Sequence, residues 1–247
     1  MRLLAVVGTR KVCGRESLKI SMTKVIVYSC VTASYDDLDR TLFRSTHKTS
    51  SDISFVLFSD CVSPGFRGIW QIEPLKWQHP LCVRRTARYH KCLPHHVLPS
   101  HDCSVWIDGS QIVKVDDIVT ELVSPIIADG HDLATFKHPI RQCVYQEERA
   151  CERYRKDSKD VMRRQIERYR AEGYPAYNGM VETACVVRAN TPEVCKFNET
   201  WWGELERDSF RDQLSFNYTC WSLDKSYGHI PGHRESSPFF EFVSHKR

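Results

Sequence analysis

Cys103-Ser104-Val105-Trp106-Ile107-Asp108-Gly109-Ser110-Gln111-Ile112-Val113 is a short run of β-forming residues that delivers a carboxylate, Asp108, where Gly109 lets the backbone turn sharply. An acid at the end of a buried strand is costly unless a metal, an arginine or a substrate meets its charge. Asp108 therefore reads either as the cap of a strand-to-loop turn or as the acid of a site. The surrounding chain bears on that choice.

Upstream, three more apolar runs alternate with mixed polar segments: Thr23 to Val31, Ile53 to Ser59 ending in Asp60, and Gly68 to Ile72 ending in Glu73-Pro74. With Ser104 to Ile107 as a fourth strand, this order predicts an α/β domain with a mostly parallel central sheet flanked by helices. Acids gathered along one sheet edge suit a cation or a sugar better than a bare phosphate. In an open α/β sheet the loop after the first strand, Thr32-Ala33-Ser34-Tyr35-Asp36-Asp37, lies where a ligand is expected; a plain turn with a helix cap is the other reading.

Between the third and fourth strands, Val83 to Cys92 reads as a helix stopped at Pro94, and Arg84, Arg88 and Lys91 then share a face at i, i+4, i+7. Three cations on one face either stay solvated or neutralise a diphosphate. After Val113 a helix is expected over 115 to 123, and then a short strand at Ala134 to Phe136. Pro139 follows, where His138 and Arg141 emerge in a loop able to hold substrate oxygens. The charged stretch from Tyr145 to Glu172 fits one or two amphipathic helices ending near Gly173 and Pro175. A late strand is expected within 177 to 188. Trp201 and Trp202 beside Glu204 and Glu206 could stack a sugar, although core packing is the ordinary role of such tryptophans.

The totals bound these readings. At 247 residues one large domain is expected, taken as 23 to 247 after a poorly ordered leader over 1 to 22, with Met22 as an alternative start. A formal net charge of +4 is too small to argue for wholesale nucleic-acid binding, so no nucleic-acid partner is expected. The 11 cysteines are scattered and never form a Cys-x-x-Cys pair, which argues against a structural zinc and a disulfide framework and for a reducing, cytoplasmic setting. No run approaches the ~20 apolar residues that span a bilayer. Walker, dinucleotide-binding, zincin and nucleophile-elbow motifs are also missing.

Taken in order, Arg88-Tyr89-His90-Lys91-Cys92-Leu93-Pro94, Trp106-Ile107-Asp108-Gly109, Phe136 to Glu147 and Arg211-Asp212-Gln213-Leu214-Ser215-Phe216 resemble the glycosyltransferase family of the plant TOD and MUCI type, long catalogued as a domain of unknown function. The resemblance covers roughly 24 to 222. It implies a GT-A-like nucleotide-diphospho-sugar transferase fold, with the donor lying across the carboxyl ends of the first and fourth strands. Thr32, Ala33, Tyr35, Arg84, Arg88, Lys91, Asp108 and Ser110 would then bind the donor. Asp108 falls where an Asp-x-Asp motif would hold Mn²⁺ or Mg²⁺, but Ser110 stands in place of the second carboxylate, so fixed cations are the other way to meet the leaving group's charge.

By the same analogy His138, Arg141, Glu147, Glu182 and Gln213 line the substrate pocket, and Asp212 is the preferred general base of an inverting enzyme. The expected activity is transfer of a sugar from a nucleotide-sugar donor to a glycan or other hydroxyl acceptor. Two alternatives are a metal-dependent phosphoesterase using the same acid, and a non-catalytic glycan-binding module with Trp201 and Trp202 as its platforms.

Overall fold

The computed structural model describes residues 24–48 and 52–244; the expected leader over 1 to 22 lies outside them. The chain opens with β1 (Val25–Val31), a turn of 3-10 helix at Leu42–Arg44, β2 (Ile53–Ser59), β3 (Gly65–Arg67) and β4 (Trp70–Glu73). It continues through α1 (Val83–Cys92), α2 (Pro94–Val97), β5 (Cys103–Ile107) and β6 (Gln111–Val113). A π-helical turn at Val119–Val123 leads into α3 (Ser124–Ala128), then β7 (Leu133–Lys137), α4 (Val144–Arg153), α5 (Lys159–Ala171) and β8 (Val181–Ala189). The last elements are α6 (Pro192–Arg207), α7 (Asp212–Ser222), β9 (Gly228–Ile230) and β10 (Phe240–Phe242).

Eight strands form one sheet in the order β3-β4-β2-β1-β5-β8-β7-β9. Six of them run the same way and only β3 and β8 oppose them, which matches the mostly parallel α/β expectation. Alternation along each strand separates two cores. Val25, Val27, Phe55, Leu57, Val105 and Ile107 face the segment from Ile118 to Ile126 and Phe240. Ile26, Tyr28, Val56, Phe58 and Trp106 face α1, α6 and α7 through Cys92, Phe197, Trp201 and Phe216. A third cluster, Met162, Ile166, Tyr169, Leu214 and Tyr218, joins α5 to α7.

Three details differ from expectation. The helix anticipated over 115 to 123 begins later, because the Asp117 carboxylate accepts from the amides of Val119 (3.0 Å) and Thr120 (3.2 Å) and fixes the start there. Pro125, which has no N–H to donate, lies in the next turn after the wider π turn. Trp201 and Trp202 are buried, at 0% and 6% exposure, so neither can serve as a stacking platform and the glycan-binding module built on them is lost. Seven of the ten described cysteines are buried and all ten are free, as expected of small apolar side chains.

His90 links the fold to pH. It is fully buried, its Nδ1 faces the Thr86 carbonyl at 2.8 Å, and its Nε2 accepts the Lys76 amide at 3.0 Å, so it must be neutral. Burial is the main cause that lowers its pKa to about 4. The unfolded chain therefore binds this proton more readily than the native one, and the stabilisation is complete above about pH 6.5 and lost as pH falls towards 4. Urea unfolding across that window should show a loss of about 3 kcal/mol, reduced in His90→Gln. Equal slopes in the two proteins would refute the assignment.

Candidate functional site

Strand parity brings the central acid to its partners. Asp108 follows Trp106 by two residues, so both side chains leave β5 on the α1 side, and the Trp106 indole Nε1 donates to Asp108 Oδ1 at 2.8 Å. Gly109 is required beside it: a Cβ there would lie 2.4 Å from Asp36 Oδ2 and 2.6 Å from Val31 Cγ2. The loop after β1 thus packs the Asp36 carboxylate against Gly109.

From α1, Lys91 reaches the same point. Its Nζ lies 2.5 Å from Asp212 Oδ2, 3.3 Å from Asp108 Oδ1, 3.3 Å from Thr183 Oγ1 and 5.4 Å from the Trp106 ring. Arg88 Nε stands 3.3 Å from Asp212 Oδ1, and Thr183 donates to Asp212 Oδ2 at 2.8 Å. Asp212 opens α7, where the helix dipole also favours an anion. Burial pushes its carboxyl up, but Arg88, Lys91 and Arg211 outweigh that and hold it well below the usual carboxylate range.

A bulge in β8 completes the cluster. The register jumps from Thr135↔Val186 to Phe136↔Glu182, leaving 183 to 185 outside the ladder. The Thr135 hydroxyl satisfies the carbonyls of Cys185 (2.7 Å) and Glu182 (3.2 Å), and Ala184 accepts the Asp108 amide at 2.8 Å. This local break turns Thr183 towards Lys91 and Glu182 towards Arg234, whose amide donates to Glu182 Oε2 at 2.9 Å. The Arg234 segment is anchored beyond the site by β10, which pairs antiparallel with β6 just after Ser110.

Nearby lies a second group. The His138 Nδ1 accepts the amides of Ile140 (3.2 Å) and Arg141 (3.0 Å), and its Nε2 lies 3.7 Å from Glu147 Oε2, to which Arg141 also donates. Burial first, then Arg141, lowers the His138 pKa, so this imidazole is neutral with its proton towards Glu147.

The sequence-derived candidates separate accordingly. Arg88, Lys91, Asp108 and Asp212 meet, and His138, Arg141 and Glu147 meet. Thr32 is buried with its hydroxyl on the Val83 carbonyl at 3.3 Å, and Ala33 donates its amide to Asp60 at 2.9 Å. Ala33 and Ser34 both have φ of 52°, a costly backbone that tends to occur at ligand-binding loops. Tyr35 is exposed and lies close enough to Arg88 to interact with it electrostatically. Ser110 is buried, and Gln213 donates to the Val181 carbonyl at 3.1 Å while its carbonyl receives Arg211.

Two readings need correction. Arg84 leaves the cluster: it bonds the Lys156 carbonyl at 3.2 Å and covers the Phe210 ring at 5.2 Å, so three cations do not converge. Asp212, enclosed by two cations and strongly acidic, is poorly suited to taking a proton as a general base. Sequence reasoning missed Thr183, Arg234 and the packing of Asp36 against Gly109. The demand for glycine at 109 was the only local signal for the last of these.

Arg88 and Lys91 already face the two carboxylates Asp212 and Asp108, so the two fixed cations leave little excess charge for an incoming diphosphate. Among the described residues Asp108 Oδ2 takes no hydrogen bond. A single carboxylate oxygen fits a hard divalent ion only where phosphate and water supply most of its other ligands.

The mostly parallel α/β sheet with this acid-ended central strand is consistent with a glycosyltransferase-like domain. The chain belongs to the TOD1/MUCI70 family, whose glycosyltransferase-like domain matches residues 8–231. It is also similar to "Probable hexosyltransferase MUCI70" of Arabidopsis thaliana, at 27% identity over 158 residues. That alignment covers 61% of this chain and 27% of the Arabidopsis protein, so the chain spans only part of that relative's length. Among the described residues no helix is long and apolar enough to cross a membrane.

Proposed function

We propose that the domain moves a sugar from a nucleotide-sugar donor to a hydroxyl of a glycan acceptor, in a GT-A-like arrangement with the donor diphosphate at Asp108. The observation that carries this reading is Asp108 itself: both of its interior contacts use Oδ1, its side chain is 32% exposed, and it ends a central strand beside the strained loop after β1. Ligands of open α/β sheets bind at this edge.

Asp108 would hold a Mg²⁺ or Mn²⁺ that reaches the site with the diphosphate. Bound there, the ion would supply positive charge against the departing nucleotide. Lys91 keeps Asp108 oriented, and Asp212 positions Lys91 and Arg88 instead of deprotonating the acceptor.

The acceptor reading adds a pocket of about 480 Å³ beside α4, lined by Tyr145, Gln146, Arg149, Arg170, Tyr174 and Tyr177. Its tyrosine faces offer stacking and its guanidinium and amide groups offer hydrogen bonds, the mixture that saccharides use. Tyr177 is 69% exposed, so Tyr177→Ala should leave the fold intact. It should raise the acceptor KM about tenfold while donor hydrolysis stays unchanged; an unchanged acceptor KM would remove this pocket from the reading.

The direct test is a thermal-shift panel of nucleotides and nucleotide sugars with and without Mn²⁺, followed by assay of released nucleotide. A ligand at 100 times its Kd adds about 2.7 kcal/mol of stability. One nucleotide class should stand out and be hydrolysed slowly. A flat panel, or turnover of a simple phosphodiester untouched by nucleotide sugars, would replace this reading with the phosphoesterase alternative.

A further inference from the structure

Away from the Asp108 edge, α2 and α6 bring three metal-binding side chains to one point. Pro94 starts the short helix α2, and His95 and His96 follow it directly. Their Nε2 atoms lie 3.0 and 2.9 Å from the same oxygen of Glu199, Oε1, with the two rings 4.4 Å apart. All three donor atoms fall within 4.8 Å of one another.

We propose that His95, His96 and Glu199 form a binding site for a borderline transition-metal cation of the Zn²⁺ class, which clips α2 to α6. Ligands ~2.1 Å from a tetrahedral metal lie ~3.4 Å apart, so the side chains need to spread by only about half an ångström to admit the ion. Charge points the same way: among the described residues no Lys or Arg pairs with Glu199, whose only ion-pair neighbours are the two imidazoles.

The His95 side chain is mostly buried, at 15% exposure. Its Nδ1 has no hydrogen-bond partner, so its polar contact is made through the Nε2 that faces Glu199. Two imidazole nitrogens and one carboxylate select Zn²⁺, Co²⁺ or Ni²⁺ over Mg²⁺, with water completing the shell on the exposed side of His96 and Glu199.

The clip would act on the connection that carries the other site. Arg88 and Lys91 precede α2 and Asp108 follows it, so a cation here fixes the segment from 83 to 108 against α6. This proposal does not depend on the sugar-transfer reading.

The test uses the full chain prepared without a polyhistidine tag and stripped with a chelator. Calorimetric titration with Zn²⁺ should show one equivalent bound at low micromolar Kd or tighter. His96→Ala and Glu199→Gln should each weaken it by at least about tenfold, the His95→Ala/His96→Ala pair should abolish it, and Asp108→Asn should leave it unchanged. Co²⁺ should give a visible band indicating nitrogen ligation, lost in His96→Ala. Equal melting temperatures of metal-free wild type and variants would show that the losses are not unfolding. No Zn²⁺ binding at 100 µM, or binding that survives the double substitution, overturns the site.

Discussion

Asp108→Asn should lower sugar transfer and donor hydrolysis by about 10²- to 10³-fold, while the melting temperature should stay close to that of the wild type. Asparagine keeps the shape and keeps a carbonyl oxygen for the Trp106 indole and the Lys91 ammonium, so the interior contacts on Oδ1 survive. What disappears is the charge on Oδ2, the oxygen we propose meets a cation beside the diphosphate. The side chain is 32% exposed, so removing its charge leaves no deeply buried group stranded. Lys91 retains Asp212 at 2.5 Å. Rate measurements over a range of Mn²⁺ concentrations separate the possible causes. A loss partly recovered at high Mn²⁺ points to weakened cation binding, and a loss independent of Mn²⁺ points to the orientation of Lys91. Full activity in a folded Asp108→Asn protein would refute the role given to this edge.

How much of this was legible beforehand depended on the range of the interactions involved. Strand positions follow from local alternation, and Pro94 marks the end of α1 because no helix accepts it in its interior; both were readable from a few residues. The parity that carries Trp106 and Asp108 to the same side of β5 is equally local. The error at Arg84 shows the limit of helical spacing. Residues at i, i+4 and i+7 share a broad face, but Arg84 sits in the first turn and extends to Lys156 and Phe210, which the helix itself does not specify. The partners of Asp212 were hidden for a similar reason. They come from α1 and from the bulge in β8, and nothing near residue 212 announces a lysine 121 positions earlier in the chain. Thr183 was missed because a register jump of several residues decides where it points, and strand patterning assumes the regular ladder, whereas Arg234 was missed because its partner Glu182 lies 52 positions away.

Asp212 yields the larger stability effect. Asp212→Asn should destabilise the protein by about 3–5 kcal/mol, because it leaves the buried Lys91 ammonium, at 1% exposure, with only Asp108 at 3.3 Å, and removes the counter-charge of Arg88. For a chain of this size each kcal/mol moves the melting temperature by about 2–4 °C, so a drop of roughly 10 °C is expected. The folded-state carboxyl is held below its unfolded value, so the stabilisation is complete above about pH 4 and is lost as pH falls further. The gap between wild type and variant should therefore be constant from neutral to alkaline pH and close only in acid. A second substitution isolates the cause. In Lys91→Met/Asp212→Leu both charges are gone, and a buried pair replaced by apolar groups of similar volume often restores stability. The double variant should melt above Asp212→Asn, yet stay inactive because Lys91 no longer orients Asp108. Were Asp212 a general base, Asp212→Asn would lose transfer to the acceptor but keep donor hydrolysis. As the residue that holds Lys91 and Arg88, it should lose both together, and that joint loss distinguishes positioning from proton transfer.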